Sequence, residues 1–242
     1  MDIFKSWLVE EYIAHRGLHN EKAPENSMLA FENAIKEGYP IEIDVHQISD
    51  GTLIVFHDNT LQRMTGKDGY VKNLKKEDLK KLFLNGTKQT IPTFEEFLSF
   101  INGRTPVLIE IKNTGKVGEL ESALYSQLKK YKGEYAIQSF NPYVLEWFKN
   151  NAPEVVRGQL AGFFKGQDLG FLKKCFLKRM TLNKKVSEPH FIAYEAKALP
   201  NRFVRKYSHL PLLAWTVRSQ EEYMNVVKFC DNIIFENFEP KV

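Results

Sequence analysis

The sequence contains few cysteines and no long apolar run. Its two cysteines, Cys175 and Cys230, cannot form a disulfide framework and suit a reducing cytoplasm. A membrane-spanning helix needs roughly 20 consecutive apolar residues, and no run in the chain approaches that length. Near the N-terminus, Glu10 and Glu11 lie where a secretory signal would continue its apolar stretch. We therefore expect a cytoplasmic protein without stable membrane insertion.

The chain also lacks a large excess of charge, a low-complexity tract, an internal repeat and a linker rich in glycine, serine or proline. Its 34 basic and 30 acidic side chains give a formal net charge of +4, which is too small to predict a nucleic-acid partner. With 43% hydrophobic and 26% charged residues, the composition is that of an ordinary globular protein. The length suits a single domain over residues 1–242, and nothing in the sequence indicates an oligomeric state.

What the chain does contain is an alternation of short β-branched runs with longer amphipathic segments. Eight runs rich in valine and isoleucine predict strands, at residues 12–15, 41–45, 107–111, 135–139, 156–160, 190–194, 212–217 and 232–235. Strands that alternate with helices pair in parallel, and eight of them favour an α/β fold of the (β/α)8 TIM-barrel type. A doubly wound open sheet is the alternative, but no Gly-x-Gly-x-x-Gly motif follows the first strand.

Helix start signals lie between the predicted strands. Asn141 precedes a proline and is a typical N-cap. Thr93 with Glu96, and Ser219 with Glu222, match the capping box. These signals support the alternation of strands and helices.

One stretch interrupts the alternation after the second strand. Asp50-Gly51 precedes a ninth strand-like run at residues 53–56 and predicts a hairpin. Residues 57–90 are polar, contain several glycines and include the lysine-rich run 72–81. Long connections of this kind in a compact domain are usually functional caps or lids. We therefore interpret residues 57–90 as a small insertion over one end of the barrel.

Acidic residues on two predicted strands indicate a metal site. Glu42 and Asp44 are two positions apart, so their carboxylates point to the same face of the strand. Burying two like charges is costly unless a cation lies between them. Glu110, near the end of the strand at 107–111, supplies a third carboxylate. Three carboxylates suit Ca²⁺ or Mg²⁺ better than zinc; the alternative is a solvated polar face on an edge strand.

Histidines and cations lie at the ends of the same strands. His15 ends the first strand, and His57 follows the ninth run. Two histidines can divide the work of acid and base near neutral pH. Arg16 has the bidentate geometry that recognises phosphate, and Lys112 shares a face with Glu110 and offers a cation to an anionic group. Taken singly, each has a structural alternative, such as a hydrogen-bonding histidine or a surface Glu–Lys pair.

Three further residues are weaker candidates. Phe140 follows a predicted strand and Trp215 lies inside one, so either could line a pocket against the apolar part of a substrate, although packing in the core is the commoner role. His46 has the same strand parity as Asp44 and could face the same site.

Together these segments resemble the glycerophosphodiester phosphodiesterase family. The shared motifs, in order along the chain, are His15-Arg16-Gly17, Pro24-Glu25-Asn26-Ser27, Ala30-Phe31, Glu42-x-Asp44-Val45, Asp50-Gly51, His57-Asp58, Leu61, Arg63, Thr65-Gly66, Gly69, Glu110-Ile111-Lys112, Gln138-Ser139-Phe140-Asn141-Pro142 and Trp215-Thr216-Val217. Several motifs in one order are far more specific than any single motif. The resemblance implies a (β/α)8 phosphodiesterase with a small insertion after the second strand.

The resemblance also implies a role for each group in the site. One divalent ion, Ca²⁺ or Mg²⁺ with Mn²⁺ as a further candidate, would be held by the three carboxylates. His15 would be the general base and His57 the general acid. Arg16 and Lys112 would bind the phosphate.

The implied reaction is the hydrolysis of a small-molecule glycerophosphodiester to an alcohol and sn-glycerol 3-phosphate, a step in lipid and glycerol metabolism. A lysophospholipase D-like or sphingomyelinase D-like enzyme on the same fold is the alternative, favoured only by the basic, phenylalanine-rich residues 169–180. A barrel that binds phosphodiesters without catalysis is a third hypothesis, but a binding protein does not need two histidines beside a metal site. The absence of a strong basic patch disfavours a nucleic-acid substrate.

Overall fold

The computed structural model of the protein describes residues 2–113, 115–163, 175, 177–180 and 182–241, with the backbone only at residue 184. Most of the basic segment 169–180 therefore lies outside the described residues. The contacts between Cα atoms divide the chain into two compact units, which are Ala14–Tyr135 and the combination of Met1–Ile13 with Ala136–Val242. The single domain predicted from the sequence remains a proposal.

The sheet confirms the predicted barrel. The described residues form nine strands, which are β1 (Ile13–His15), β2 (Ile41–Gln47), β3 (Leu53–Val55), β4 (Val107–Ile111), β5 (Tyr135–Ser139), β6 (Arg157–Ala161), β7 (Phe191–Glu195), β8 (Leu212–Val217) and β9 (Asn232–Phe235). Eight are the predicted strands, with ends displaced by no more than two residues, and they form a closed parallel barrel because β1 pairs with both β9 and β2. The doubly wound alternative is wrong.

The ninth strand forms the predicted hairpin. β3 runs antiparallel to β2, with Val45 opposite Val55, so it extends the sheet outside the parallel barrel. The turn between these strands contains Gly51, which has a positive φ of 85°. Glycine adopts this conformation without the steric cost that a side chain brings.

Helices alternate with the strands as predicted. The described α-helices are α1 (Trp7–Glu10), α2 (Met28–Lys36), α3 (Gln62–Thr65), α4 (Phe94–Ile101), α5 (Glu119–Leu128), α6 (Pro142–Asn151) and α7 (Gln220–Val226). Short 3₁₀ turns lie at Ile3–Lys5, Val71–Asn73, Lys76–Lys81, Leu84–Gly86, Ala196–Ala198, Val204–Tyr207 and Val227–Phe229, and a π-helical turn at Asn183–Ser187. Among the described residues, no helix combines the length and the apolar character needed to cross a bilayer.

The predicted helix caps are present, with one difference. Asn141 caps α6, and Thr93 and Glu96 form a reciprocal capping box at α4. At α7, the Ser219 hydroxyl accepts the amide of Glu222, but the Glu222 carboxylate accepts the amide of Arg218 at 2.8 Å. The predicted box at α7 is therefore only half formed, because the carboxylate binds the preceding residue instead.

The unit Ala14–Tyr135 is built on β2 and β4, which are parallel and paired over five residues. Their apolar side chains are fully buried, as expected for barrel strands covered on both faces. Helices α2 and α4 pack through the rings of Phe31 and Phe97, whose centroids are 4.8 Å apart in an edge-to-face arrangement. This contact joins two helices of the unit that carries the acidic residues.

The insertion has a hydrophobic core of its own, which the sequence analysis did not predict. Its buried apolar residues, which we call the insertion core, are Ile48, Ile54, Phe56, Leu61, Met64, Val71, Leu74, Leu79, Leu82, Leu84 and Ile91. Ile54 lies in β3 and Met64 in α3, but most of the others lie in 3₁₀ turns and connecting loops. Apolar residues in such segments show no helical or strand period. The segment that reads as polar in sequence is therefore a packed element.

In the unit that contains β6 to β9, these strands pair in parallel in sequence order. A second buried cluster includes Ile192, Tyr194, Phe203 and Tyr207. The two tyrosine hydroxyls donate to backbone carbonyls, Tyr194 to Lys178 at 2.8 Å and Tyr207 to Met180 at 3.0 Å. These bonds satisfy polar groups that burial would otherwise leave without partners.

Candidate functional site

Three buried carboxylates lie together in the unit Ala14–Tyr135. Glu42 and Asp44 project from the same face of β2, and Glu110 of β4 is the register partner of Asp44. One oxygen from each carboxylate lies within 4.8 Å of the other two. Their exposed fractions are 1, 0 and 7%. The alternation along each strand and the parallel register together bring these groups to one place.

Two cations lie against the carboxylates. Lys112 Nζ is 2.8 Å from Glu110 Oε1 and 3.2 Å from Asp44 Oδ1. Arg16 Nε is 3.1 Å from Asp44 Oδ2, and the Arg16 amide donates to Glu42 Oε2 at 3.3 Å. Both predicted phosphate-binding cations are therefore in contact with the acidic cluster.

The loop after β1 holds Arg16 in an unusual backbone conformation. Arg16 has a φ of 57° and Gly17 a φ of 79°. The backbone amide of Asn26 donates to the Arg16 carbonyl at 3.0 Å. A Cβ atom on residue 17 would lie 2.8 Å from the backbone carbon of Ala30. Left-handed backbone in a residue other than glycine is uncommon and collects at functional sites.

The charges in the cluster shift the carboxylates in opposite directions. Burial raises the pKa of Glu42, and the negative charges of Asp44 and Glu110 raise it further. Burial alone would also raise the pKa of Asp44, but Lys112, the two histidines and Arg16 hold it well below its usual value. The cluster therefore disfavours the ionised form of Glu42 and favours that of Asp44.

The residues fit a divalent cation. When all three carboxylates are ionised, they exceed the two cations by one negative charge (3 − 2 = 1) in a buried place. Among the described residues, Asn26 Oδ1 is a buried oxygen that accepts no hydrogen bond, and Asp44 Oδ1 has only its 3.2 Å ion pair with Lys112 Nζ. Asn26 is adjacent, since its Nδ2 donates to Asp44 Oδ2 at 3.0 Å. Oxygen donors with surplus negative charge are the ligands that Ca²⁺ and Mg²⁺ prefer.

Both candidate histidines lie near the acidic cluster. His15 is the register partner of Glu42, and its Nε2 is 3.9 Å from Glu42 Oε2. His57 Nδ1 is 2.6 Å from Asp58 Oδ1. The backbone amide of Phe56, the residue before His57, donates to the Asp44 carbonyl at 2.9 Å, so His57 follows a residue bonded to the strand of the cluster. The charges of both histidines lower the pKa of Asp44.

His46 contacts the backbone of His57. Its Nε2 is 3.0 Å from the His57 carbonyl oxygen. Burial is the main cause that lowers the pKa of His46 to about 4, and Lys112 lowers it further. A neutral imidazole that donates to this carbonyl fixes the backbone of His57, so we assign His46 to the support of the site.

The sequence analysis gave no role to three residues that the structure connects to the site. Glu25 accepts from Arg16 Nη1 at 2.7 Å, and Arg63 donates to both Glu25 and Asp58. Each belongs to one of the shared family motifs, but the contact of Glu25 with Arg63 joins a loop residue to a residue of α3 that is 38 positions away in the sequence. No local sequence pattern predicts such a pairing.

Phe140 and Trp215 lie in the other unit. Their rings pack edge to face with centroids 5.5 Å apart, so the two predicted pocket residues contact each other. Phe140 also lines a cavity together with Gln159 of β6 and Met180. Their role in substrate binding remains a prediction.

The fold and the site define a TIM-barrel protein with a candidate oxygen-ligand metal centre flanked by histidines and cations. The chain matches the glycerophosphoryl diester phosphodiesterase family over residues 15–234. It therefore belongs to that family, as the resemblance implied.

Individual relatives cover only part of the chain. A glycerophosphodiester phosphodiesterase of Caldanaerobacter subterraneus is 38% identical over 160 residues, which are 61% of this chain and 65% of that protein. One from Bacillus altitudinis is 33% identical over 154 residues, 59% of this chain and 62% of the relative. The matched region thus spans less than two thirds of either relative.

A solved structure extends the comparison of folds to nearly the whole chain. The Oleispira antarctica phosphodiesterase, in complex with the product sn-glycerol-3-phosphate, superposes with a TM-score of 0.79 at 24% identity. The alignment covers 95% of this chain and 93% of that one. At this identity the likeness shows a common fold.

Proposed function

We propose that the protein hydrolyses glycerophosphodiesters to an alcohol and sn-glycerol 3-phosphate. The observation that carries the proposal is the meeting of three buried carboxylates, two histidines and two cations around Asp44. The substrate class is supported by relatives that are named glycerophosphodiester phosphodiesterases and by the product bound to the Oleispira enzyme.

Glu42, Asp44 and Glu110 would hold one divalent ion, Ca²⁺, Mg²⁺ or Mn²⁺. When bound, such an ion supplies Lewis-acid polarisation of a phosphate oxygen and screens its charge. Arg16 and Lys112 add two permanent positive charges beside the same carboxylates. They bind the phosphate and offset the negative charge that builds on it during the reaction.

The two histidines divide the proton transfers. His15 takes the proton of the nucleophile. The nucleophile is a water molecule, or it is the glycerol 2-hydroxyl, which forms a cyclic phosphate that water opens in a second step. His57 gives its proton to the oxygen of the departing alcohol. The contact of His57 Nδ1 with Asp58 at 2.6 Å fixes the ring and leaves Nε2 as the nitrogen that exchanges the catalytic proton.

Turnover of glycerophosphocholine by the purified protein tests the proposal, with release of sn-glycerol 3-phosphate as the readout. His15→Ala and His57→Ala should each lower kcat by roughly 10²–10⁴-fold. His209→Ala is the matched control, because His209 is exposed and lies outside the site. Near-normal turnover in either site variant would contradict the assignment of acid and base.

Removal of divalent ions tests the metal proposal separately. Protein stripped with EDTA should lose activity and regain it on addition of Ca²⁺, Mg²⁺ or Mn²⁺, since the carboxylates lack the charge compensation that an ion provides. Full activity after stripping would show that the ion is not needed for the reaction.

A lysophospholipase D activity is the second candidate. It is favoured by a human relative named a lysophospholipase D, which is 32% identical over 145 residues, 54% of this chain and 45% of that protein. Hydrolysis of lysophosphatidylcholine, measured beside that of glycerophosphocholine, separates the two. A higher kcat/KM for the lysophospholipid would favour the second candidate.

A further inference from the structure

Arg63 makes an unusually complete set of hydrogen bonds for a half-exposed arginine. Its Nε and Nη2 donate to Asp58 at 2.6 and 2.9 Å. Its Nη1 and Nη2 also donate to Glu25, each at 2.7 Å. One planar guanidinium thus binds two carboxylates bidentately, an arrangement that fixes both distance and angle.

Each of these carboxylates holds a group of the proposed site. Asp58 contacts His57 Nδ1 at 2.6 Å, and Glu25 accepts from Arg16 Nη1 at 2.7 Å. Arg63 is therefore the central member of a chain of hydrogen bonds that runs from the proposed general acid to a phosphate-binding cation.

The chain of hydrogen bonds is only partly open to solvent. The side chains of Glu25 and Asp58 are 13% and 19% exposed, against 47% for Arg63. Ion pairs at such depth are screened less by water and salt than pairs on the surface. The bidentate pairs also keep the two carboxylates ionised: although burial raises the pKa of each, their arginine and histidine partners lower it below its usual value.

The backbone that carries Arg63 is anchored in the insertion core. Arg63 lies in α3, between Leu61 and Met64, whose exposed fractions are 4% and 1%. The helix ends at Gly66 in the left-handed conformation, a common helix terminator. The guanidinium thus has a fixed base, which a side chain on a mobile loop would lack.

We propose that Arg63 is a positioning residue that fixes His57 and Arg16 relative to each other before substrate binds, and that supplying it is a function of the insertion. The proposal rests on the proposed phosphodiesterase function. Preorganisation of this kind affects the chemical step, because misplacing a reacting group by about 1 Å can cost on the order of 10²-fold in rate.

The first test compares Arg63→Met with Arg104→Met. Among the described residues, the Arg104 side chain donates to the backbone carbonyls of Phe100 and Ile101, so its variant controls for loss of an arginine. Arg63→Met should lower kcat about 10- to 100-fold and change KM much less, while Arg104→Met keeps the wild-type kcat. Thermal unfolding establishes that both variants are folded.

Rescue by a conservative variant separates positioning from a general structural role. A lysine is a point charge that cannot bind two carboxylates bidentately, so Arg63→Lys should recover stability but not kcat. Glu25→Gln should also lower kcat. If Arg63→Met does not fold, Glu25→Gln is measured in its place. Full recovery of kcat in Arg63→Lys would overturn the proposal.

The imidazole ¹⁵N chemical shifts of His57 give a readout that does not depend on turnover. Loss of Arg63 should change these shifts, because Asp58 loses the partner that orients it, and Arg104→Met should leave them unchanged. Wild-type kcat and unchanged His57 shifts in Arg63→Met would overturn the positioning role. A wild-type protein inactive on glycerophosphocholine, but with His57 shifts that respond to Arg63→Met, would instead contradict the proposed function alone.

Discussion

Residue 17 illustrates how one backbone position constrains the site. Gly17 combines a φ of 79° with a close approach to Ala30, and it follows Arg16, which contacts Asp44. A side chain at this position meets both a conformational penalty and a steric clash. The positive φ and the close approach to Ala30 thus explain why the motif His15-Arg16-Gly17 has a glycine at its third position.

We predict that Gly17→Ala destabilises the protein more than Gly38→Ala does. Gly38 has nearly the same φ, 76°, but no atom within 4 Å of the position of a Cβ. The conformational penalty, about 1–2 kcal/mol, is common to both variants, so the difference measures the clash with Ala30. Urea unfolding gives both values, and equal losses of stability would show that the loop yields to the added methyl group.

Cys230 is a thiol whose chemistry should be suppressed by the fold. Burial raises its pKa to about 12, and the neighbouring charge of Asp231 adds to the effect. Since the thiolate is the reactive form, iodoacetamide at pH 8.5 should modify Cys230 at least about tenfold more slowly in the folded protein than in urea. A Cys175→Ser background isolates the signal, and equal rates in both states would contradict the pKa shift.

The same shift gives a sign for the dependence of stability on pH. The fold favours the neutral thiol of Cys230, so this contribution is complete below the pKa of the unfolded thiol, about 8.5. It is lost progressively as the pH rises towards about 12. Cys230→Ala should therefore weaken the fall of the free energy of unfolding between these limits, as followed by urea unfolding at a series of pH values.

At the scale of elements, local sequence predicts the barrel strands because each is a short run of β-branched residues between helix signals. The capping box of Thr93 and Glu96 forms as its spacing predicts, since both partners belong to one turn of chain. Glu42, Asp44 and Glu110 also come together, because strand parity and parallel register are regular.

Irregular elements are where local sequence is insufficient. The insertion core draws on residues from Ile48 to Ile91, most of them in turns and loops without a period, so its packing depends on tertiary contacts. The pairing of Glu25 with Arg63 depends in turn on that core. The composition of residues 57–90 is enough to suggest a lid. That the insertion is packed and carries Arg63 is seen only in the structure.

The insertion core makes a prediction about Leu79. Leu79 is 4% exposed in the insertion core, and truncating such a leucine costs about 2–5 kcal/mol. Leu79→Ala should loosen the insertion, which would reduce amide protection in residues 61–91 and lower kcat through displacement of Arg63. Hydrogen exchange measures the first effect and steady-state kinetics the second.

Phe83→Ala is the control for Leu79→Ala, since Phe83 lies in the same insertion but is 49% exposed. It should leave both exchange and kcat near the wild-type values. Were Leu79→Ala to lose protection without loss of kcat, the insertion core would stabilise the protein but have no part in holding the site.

At the scale of the whole molecule, the protein keeps an unbalanced cluster of charge in its interior. Stability is a small difference between large terms, so one surplus buried charge is a measurable fraction of it. The fold tolerates the cluster because Lys112 and Arg16 compensate most of it. Binding of a divalent ion would compensate the rest, which links the stability of the whole chain to the metal.

Glu42→Gln should therefore affect stability differently in the metal-free protein and in the metal-bound protein. Without metal, the variant should unfold at the wild-type temperature or higher, because the amide removes repulsion from Asp44 and Glu110. With Ca²⁺ at about a hundredfold excess over its Kd, the free energy of unfolding of the wild type should rise by about 2.7 kcal/mol. Each kcal/mol raises Tm by roughly 2–4 °C in a protein of this size. The variant should gain far less, having lost a ligand.

Glu95→Gln provides the matched comparison, because the Glu95 side chain is 76% exposed and, within the described part of the chain, its ion pair is a long one of 3.9 Å with Lys76. Its Tm should rise with Ca²⁺ as much as that of the wild type. Scanning calorimetry of the three proteins with and without Ca²⁺, and again with Mg²⁺, measures every term. Equal gains in wild type and Glu42→Gln would place the ion elsewhere, since a ligand that binds away from Glu42 stabilises both proteins alike.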